Sequence, residues 1–221
     1  CNIEASSGLF STLTGSVQNL TIDTATIGGA IEGLGVLANV TAEEVIVKNV
    51  TVKNSSVSNT EKYTGGLLGK MEDGVVEDVN VACAVTSTEA YTGGLIGNID
   101  KGKLSNCMAS GNATSNYYYA GGLVGYAITA DLVNCYATGK VVSERTNYAR
   151  TGGLVGEIQS GSLEGCYAIG DVDVKGAYAG DPTRYWPNVK TLKFAGYSDA
   201  CGVEKNATMD FAGNVLTIPS Y

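Results

Sequence analysis

Tyrosines at a fixed spacing are the first candidates for chemistry in this 221-residue sequence: Tyr63, Tyr91 and Tyr119 recur every 28 residues. Tyr117, Tyr118 and Tyr148 widen the group. A tyrosine joins an apolar ring face to a polar tip, so a column of them on an exposed face suits the holding of sugar rings. The same column also suits a packing ladder that stiffens a rod. Met108, Tyr136 and Tyr167 form a second column with the same two readings. Thiols recur as well: Cys107, Cys135 and Cys166 share one periodic position with Val79. Stacked inside a fold, they behave as small apolar residues. A straight ladder cannot surround a tetrahedral metal ion, although neighbouring rungs lie close enough for a disulfide. Cys83 stands where other units have Gly111, Gly139 and Gly170.

The carboxylates form no catalytic pattern. Their tightest groups are Glu72, Asp73, Glu77 and Asp78, then Asp171 and Asp173. Neither group fits a known calcium loop, so both read as solvated surface. A glycosidase needs two converging carboxylates, and here the acids are spread singly. The sequence has no His, which removes Ser-His-Asp triads and most catalytic zinc sites. Lys and Arg total 14 against 22 Asp and Glu, and they do not cluster, which argues against nucleic-acid binding. No apolar run approaches the roughly 18 residues of a membrane-spanning helix. The expectation is a non-enzymatic protein with no cofactor, no metal and no transmembrane segment. A carbohydrate-active enzyme is the weaker alternative.

These residues are positioned by a repeat. The phrase Gly-Gly-Leu-x-Gly occurs at 65–69, 93–97, 121–125 and 152–156, at intervals of 28, 28 and 31 residues. Apolar residues then recur at fixed offsets, as in Val76, Leu104, Leu132 and Leu163. Asn19, Asn49, Asn106 and Asn134, with Asp78, precede an apolar column. Stacked amides of this kind bond along a fibre axis. Gly8-Leu9-Phe10 and Gly35-Val36-Leu37 begin two weaker units. A period of this size marks a solenoid whose units bury their apolar faces on one another. The expected fold is an all-β parallel β-helix of about six coils, right-handed by the general preference. Stacked at ~4.8 Å, six coils make a rod near 30 Å long. Each Gly-Gly pair would form a corner where backbones approach closely and φ is free to be positive, and one of the two apolar residues after it would point inward.

The period ends near residue 176. The expected organisation is a repeat domain over 1–176 and a capping segment over 177–221. That cap would be plugged by Trp186 with Phe194 or Phe211, and would carry Cys201 and a hairpin over 208–218. Gly28 to Asn39, followed by Thr41-Ala42-Glu43-Glu44, is a candidate short helix that would cover the N-terminal edge. Without such a cover, the first coil's edge is a surface for self-association, including head-to-tail assembly.

Two stretches resemble the GLUG-motif repeat. They are Gly-Gly-Leu-Val-Gly followed by Leu-Val-Asn-Cys-Tyr-Ala-Thr-Gly-Lys-Val at 132–141, and the same phrase followed by Leu-Glu-Gly-Cys-Tyr-Ala-Ile-Gly-Asp-Val at 163–172. The resemblance covers about 65–176 well and 8–64 loosely. It implies a bacterial surface or adhesin-like β-solenoid, extracellular, with a glycan or protein as ligand. Cys1 is a candidate lipidation site, as in a lipoprotein cut before its cysteine.

Overall fold

The computed structural model describes residues 3–145 and 149–174. The expected cap over 177–221, with Trp186, Phe194, Cys201 and Phe211, lies outside the described residues, as do Cys1, Tyr148 and the 176/177 boundary.

The chain winds into a parallel β-solenoid of about six turns. Its register can be followed through one residue per coil. Phe10 pairs with Ala38, Ala38 with Leu68, Leu68 with Ile96, Ile96 with Val124, and Val124 with Val155. One wall starts at Phe10–Leu13, Ala38–Thr41 and Leu68–Met71. The next wall starts from Ser16–Asp23 and continues in the long strands Val45–Asn59 and Gly74–Ser87. The last wall runs from Ile3–Ala5 and Ala25–Gly29 to Ala113–Ser115, Val141–Ser143 and Val172–Val174. A narrow ribbon of two-residue strands, Thr64–Gly65, Thr92–Gly93, Ala120–Gly121 and Thr151–Gly152, closes the corner.

The repeat columns become core layers. Leu67, Leu95, Leu123 and Leu154 are buried, and so are Leu68, Ile96, Val124 and Val155. Both residues after the Gly-Gly pair therefore face inward, where strand alternation led us to expect one. The chain is still turning at the first of them, so the two side chains reach the interior from the corner and from the wall.

The Gly-Gly corner serves space rather than φ. A Cβ on Gly66, Gly94 or Gly122 would lie 2.3, 2.2 or 2.1 Å from the next coil's Gly94, Gly122 or Gly153 carbonyl oxygen. None of these corner glycines is left-handed. The left-handed residues are elsewhere. One set is the asparagine corner, with φ of 56° at Asn19, 52° at Asn49, 55° at Asp78, 53° at Asn106 and 53° at Asn134. Asn and Asp tolerate this conformation better than most side chains. Their side chains bond from coil to coil, Asn49 Nδ2 donating to Asn19 Oδ1 at 2.6 Å and Asn106 Nδ2 to Asp78 Oδ1 at 3.0 Å.

Residues 28–44 form no helix. Gly28 and Gly29 end a strand, Leu34 bridges to Thr64, and Ala38–Thr41 is a strand of the second coil. The Gly33 and Leu34 amides donate to Lys62 and Tyr63 carbonyls of the next coil, at 2.9 and 2.8 Å. Neighbour-coil bonding thus replaces the i to i−4 pattern, in a stretch where glycines already disfavour a helix. The same bridge shifts the weak second unit by one residue: Gly35 aligns with Gly65, not with Gly66.

Candidate functional site

The tyrosine column lies just before the two-residue ribbon. Tyr63, Tyr91 and Tyr119 are half-buried, and all three have left-handed backbones, with φ of 65°, 71° and 61°. This conformation is unfavourable for an aromatic residue by roughly 1–2 kcal/mol. The ribbon fixes it: Tyr91 N–H donates to Tyr118 O at 3.1 Å, and Thr92 N–H to Tyr119 O at 2.9 Å.

The rings stack along the coil axis. Tyr63 and Tyr91 have centroids 5.0 Å apart with planes 32° from parallel, and Tyr91 and Tyr119 are 4.8 Å apart and 4° from parallel. Tyr91 therefore has a ring on each face, so it offers solvent its edge and hydroxyl. Tyr126, on the adjoining wall, meets Tyr91 and Tyr119 edge-on at 5.3 and 4.9 Å. Tyr118 sits 5.9 Å from Tyr119 and 4.5 Å from Tyr117. The Arg145 guanidinium lies 3.7 Å from the Tyr118 ring centre and 4.2 Å from that of Tyr117. Six tyrosines thus form one continuous amphipathic edge, with Arg145 at one side.

In the sixth coil the tyrosine position is held by Arg150, because Ala120 pairs with Thr151. Its guanidinium lies 5.2 Å from the Tyr119 ring centre and donates to Tyr119 Oη at 2.6 Å. It also pairs with Glu157 at 2.7 Å. Glu157 is 4% exposed, so its carboxylate meets this guanidinium largely out of water. Burial raises the Glu157 pKa, and the Arg150 charge opposes that rise. Burial also raises the Tyr63, Tyr91 and Tyr126 hydroxyls, and pushes Tyr119 up to about 12. These phenols are neutral donors at physiological pH.

Tyr126, Arg145, Arg150 and Glu157 were missed in the sequence. A signal was there for two of them: Lys70, Asn98, Tyr126 and Glu157 each stand four residues after the second Gly of the phrase, as polar members of an apolar strand. They are neighbours in the register. Lys70 pairs with Asp100 at 2.8 Å, and Asn98 donates to Asp100 at 2.7 Å.

The second aromatic column lies on another wall. Tyr136 and Tyr167 stack at 5.0 Å with planes 5° from parallel, and Met108 pairs with Tyr136 in the register. Val79, Cys107, Cys135 and Cys166 are all buried, and Cys83, Cys107, Cys135 and Cys166 are free thiols. Burial pushes the Cys83 thiol up to about 12; hydrogen bonding to Cys107 does most to bring Cys135 to about 12; Cys166 is raised by its bond to Cys135 and by burial. The acidic groups are paired across coils, Asp73 with Lys101, Glu77 with Lys48 and Asp173 with Lys140. Exposed pairs of this kind add little stability.

Comparison with known proteins agrees with this geometry. The GLUG motif matches at residues 116–142 and 147–173, each match running from the tyrosine-column position, Tyr119 or Arg150, through the next cysteine position. A solved structure from Bacteroides ovatus, described as a "putative immunoglobulin A1 protease", is similar with a TM-score of 0.70 and 19% identity, over 79% of this chain and 59% of that one. The chain thus spans little more than half of that structure's length, and at this identity the likeness concerns the fold alone. None of the curated proteins compared matches the chain. The protein is a β-solenoid that carries GLUG motifs.

Proposed function

We propose that this solenoid is a non-catalytic, extracellular surface module, adhesin-like, that holds a glycan along its tyrosine edge. The carrying observation is the continuous edge of Tyr63, Tyr91, Tyr119, Tyr118, Tyr117 and Tyr126, whose rings touch while staying half-exposed. Tyrosine gives large contact area at low entropic cost, and tyrosine and arginine are both enriched where binding energy concentrates. Three left-handed aromatic residues in one column also suggest a use beyond packing, since strain of this kind concentrates at functional sites. The GLUG motifs support the surface setting.

Non-catalytic action is supported by the state of the acids. Glu157 is the buried carboxylate with a raised pKa among the described residues, and it is held by Arg150; Asp100 is held by Lys70.

A microarray of immobilised oligosaccharides tests the proposal. Binding is expected, with a loss of about tenfold in the Tyr117→Ala/Tyr118→Ala double variant, equivalent to roughly 1.4 kcal/mol. No oligosaccharide bound would overturn it.

Head-to-tail assembly is a second reading, favoured by Leu9 and Phe10, which are 52% and 39% exposed on the first coil. Light scattering at high concentration tests it; a strict monomer argues against it.

A further inference from the structure

Lys70, Asn98 and Asp100 bring together the groups that an internal amide exchange requires: an amine, a carboxamide, and a carboxylate that holds both. Lys70 and Asn98 are register partners on adjacent strands of the third and fourth coils. Register neighbours in a parallel sheet share a face, and a lysine stem is long enough to cross the ~4.8 Å between strands. Asp100 bridges the two: its Oδ2 lies 2.8 Å from Lys70 Nζ, and its Oδ1 accepts from Asn98 Nδ2 at 2.7 Å. An ionised carboxylate only accepts, so the amide nitrogen is the atom turned towards it. The next carboxylate, Glu72, stands 3.7 Å from Nζ. The register column passes from Val40 through Lys70, Asn98 and Tyr126 to Glu157, so amine and carboxamide meet once in it.

Water is scarce at the acceptor. Asn98 is 3% exposed, and Lys70 and Asp100 are half-buried. Two hydrogen-bonded strands hold the amine beside the carboxamide, which replaces a chance encounter with a fixed one.

We infer that Lys70 and Asn98 condense into an isopeptide bond that staples the third coil to the fourth. Nζ gives a proton to Asp100 and adds to Asn98 Cγ, forming the new C–N bond. The Cγ–Nδ2 bond then breaks. Nδ2 takes a proton from Asp100 and leaves as ammonia, which carries off the second Nζ proton as ammonium. The lysine charge is exchanged for one ammonium ion, and Asp100 ends as it began. One amide replaces another, so the step uses no oxidant and no activating group. The hydrogen bond to Asp100 raises the Lys70 pKa above its ordinary value. The free amine is therefore scarce at neutral pH, and the bond forms slowly, faster as pH rises. It has to form only once per molecule.

Intact-mass spectrometry of the full chain tests this after incubation at mildly alkaline pH, with Lys70→Arg and Asp100→Asn beside the wild type. The wild type is expected to weigh one ammonia less than its sequence. Trypsin should no longer cut after Lys70, and fragmentation should give a branched peptide joining residues 70 and 98. Arginine keeps the positive charge without a nucleophilic amine, and Asp100→Asn removes the proton carrier. Both variants should keep the full mass of their own sequences. A wild type at full mass, still cut after Lys70, overturns the proposal. So does an ammonia loss that persists in Lys70→Arg, because that loss is cyclisation at an asparagine and needs no amine.

Discussion

Tyr91 and Tyr119 stack within 4° of parallel at 4.8 Å, and both do so from left-handed backbone. The spacing is that of adjacent parallel strands. The coil rise therefore sets the ring separation, and the ribbon bonds hold the unfavourable φ. Ring contact, which contributes roughly 0.5–1.5 kcal/mol beyond buried area, offsets part of that strain.

Replacing Tyr91 separates the two effects. Tyr91→Ala loses the ring contacts with Tyr63, Tyr119 and Tyr126 and keeps a Cβ at φ 71°. Tyr91→Gly loses the same contacts and relieves the conformation. The glycine variant should be more stable than the alanine variant by about 1 kcal/mol. Urea unfolding of the two proteins measures the difference; equal midpoints would show that the left-handed backbone carries no strain.

Gly94→Ala should be severe. The added Cβ would meet the Gly122 carbonyl oxygen at 2.2 Å and the Ala109 Cβ at 3.1 Å, and neither atom belongs to a flexible side chain that could yield. A loss of about 3 kcal/mol or more is expected, at the upper end for a single substitution. Gly28→Ala is the control, because a Cβ there meets nothing within 4 Å. A thermal melt of Gly94→Ala matching that of Gly28→Ala would refute the close-approach account.

The thiol column predicts sensitivity to alkali. Cys135 has an ordinary thiol value of 9.0 when unfolded and about 12 when folded. The folded state holds the extra proton across that window, so stability falls as pH rises from 9. Val79 already occupies this column. Valine at positions 107, 135 and 166 should therefore keep the fold and reduce the loss between pH 9 and 11. Circular dichroism along a pH series checks it, and an unchanged alkaline midpoint would count against it. The tyrosine hydroxyls titrate in the same range, so some alkaline loss should persist.

Arg150→Met leaves Glu157 buried without its cation. At pH 7 the variant should lose about 2–3 kcal/mol, less than for a fully buried pair because the Arg150 side chain is 30% exposed. Glu157 already has a folded pKa above its ordinary 4.5, so its contribution to stability falls as pH rises from 4.5 through the folded value. Removing Arg150 raises that value further and steepens the fall. The gap between variant and wild type should therefore shrink on acidification towards pH 4.5. A gap that stays constant from pH 7 to pH 4.5 would mean the carboxylate is not buried charged.

The repeat made most of the fold legible in advance. The phrase at 65–69 and its copies located the corners, and the columns through Val76 and Val79 located the core. What failed to show was local conformation. Gly65 and Gly66 drew the expectation of positive φ, but the sharp turn lies earlier, at Tyr63, a residue type that gives no hint of it. The helix considered at 28–39 failed because neighbouring coils bond its amides, a long-range effect that composition cannot show. The tyrosine column was legible from its spacing alone. Its sealing by Arg150 and Glu157 was not, because the three extra residues before Thr151 break the alignment at that rung.

Within the three most regular coils the repeat is 28 residues, and each lies in register on its neighbours. Removing residues 94–121 would join Gly93 to Gly122, two glycines that already follow one another in phase at every other corner. Across the splice the third coil would meet the fifth in the same register that it now makes with the fourth, Leu68 facing Val124 in place of Ile96. Copy number can therefore vary without redesign of the interior, and duplicating residues 94–121 would add three tyrosines, Tyr117, Tyr118 and Tyr119, to the edge. Reach and valency become a genetic count rather than a structural problem.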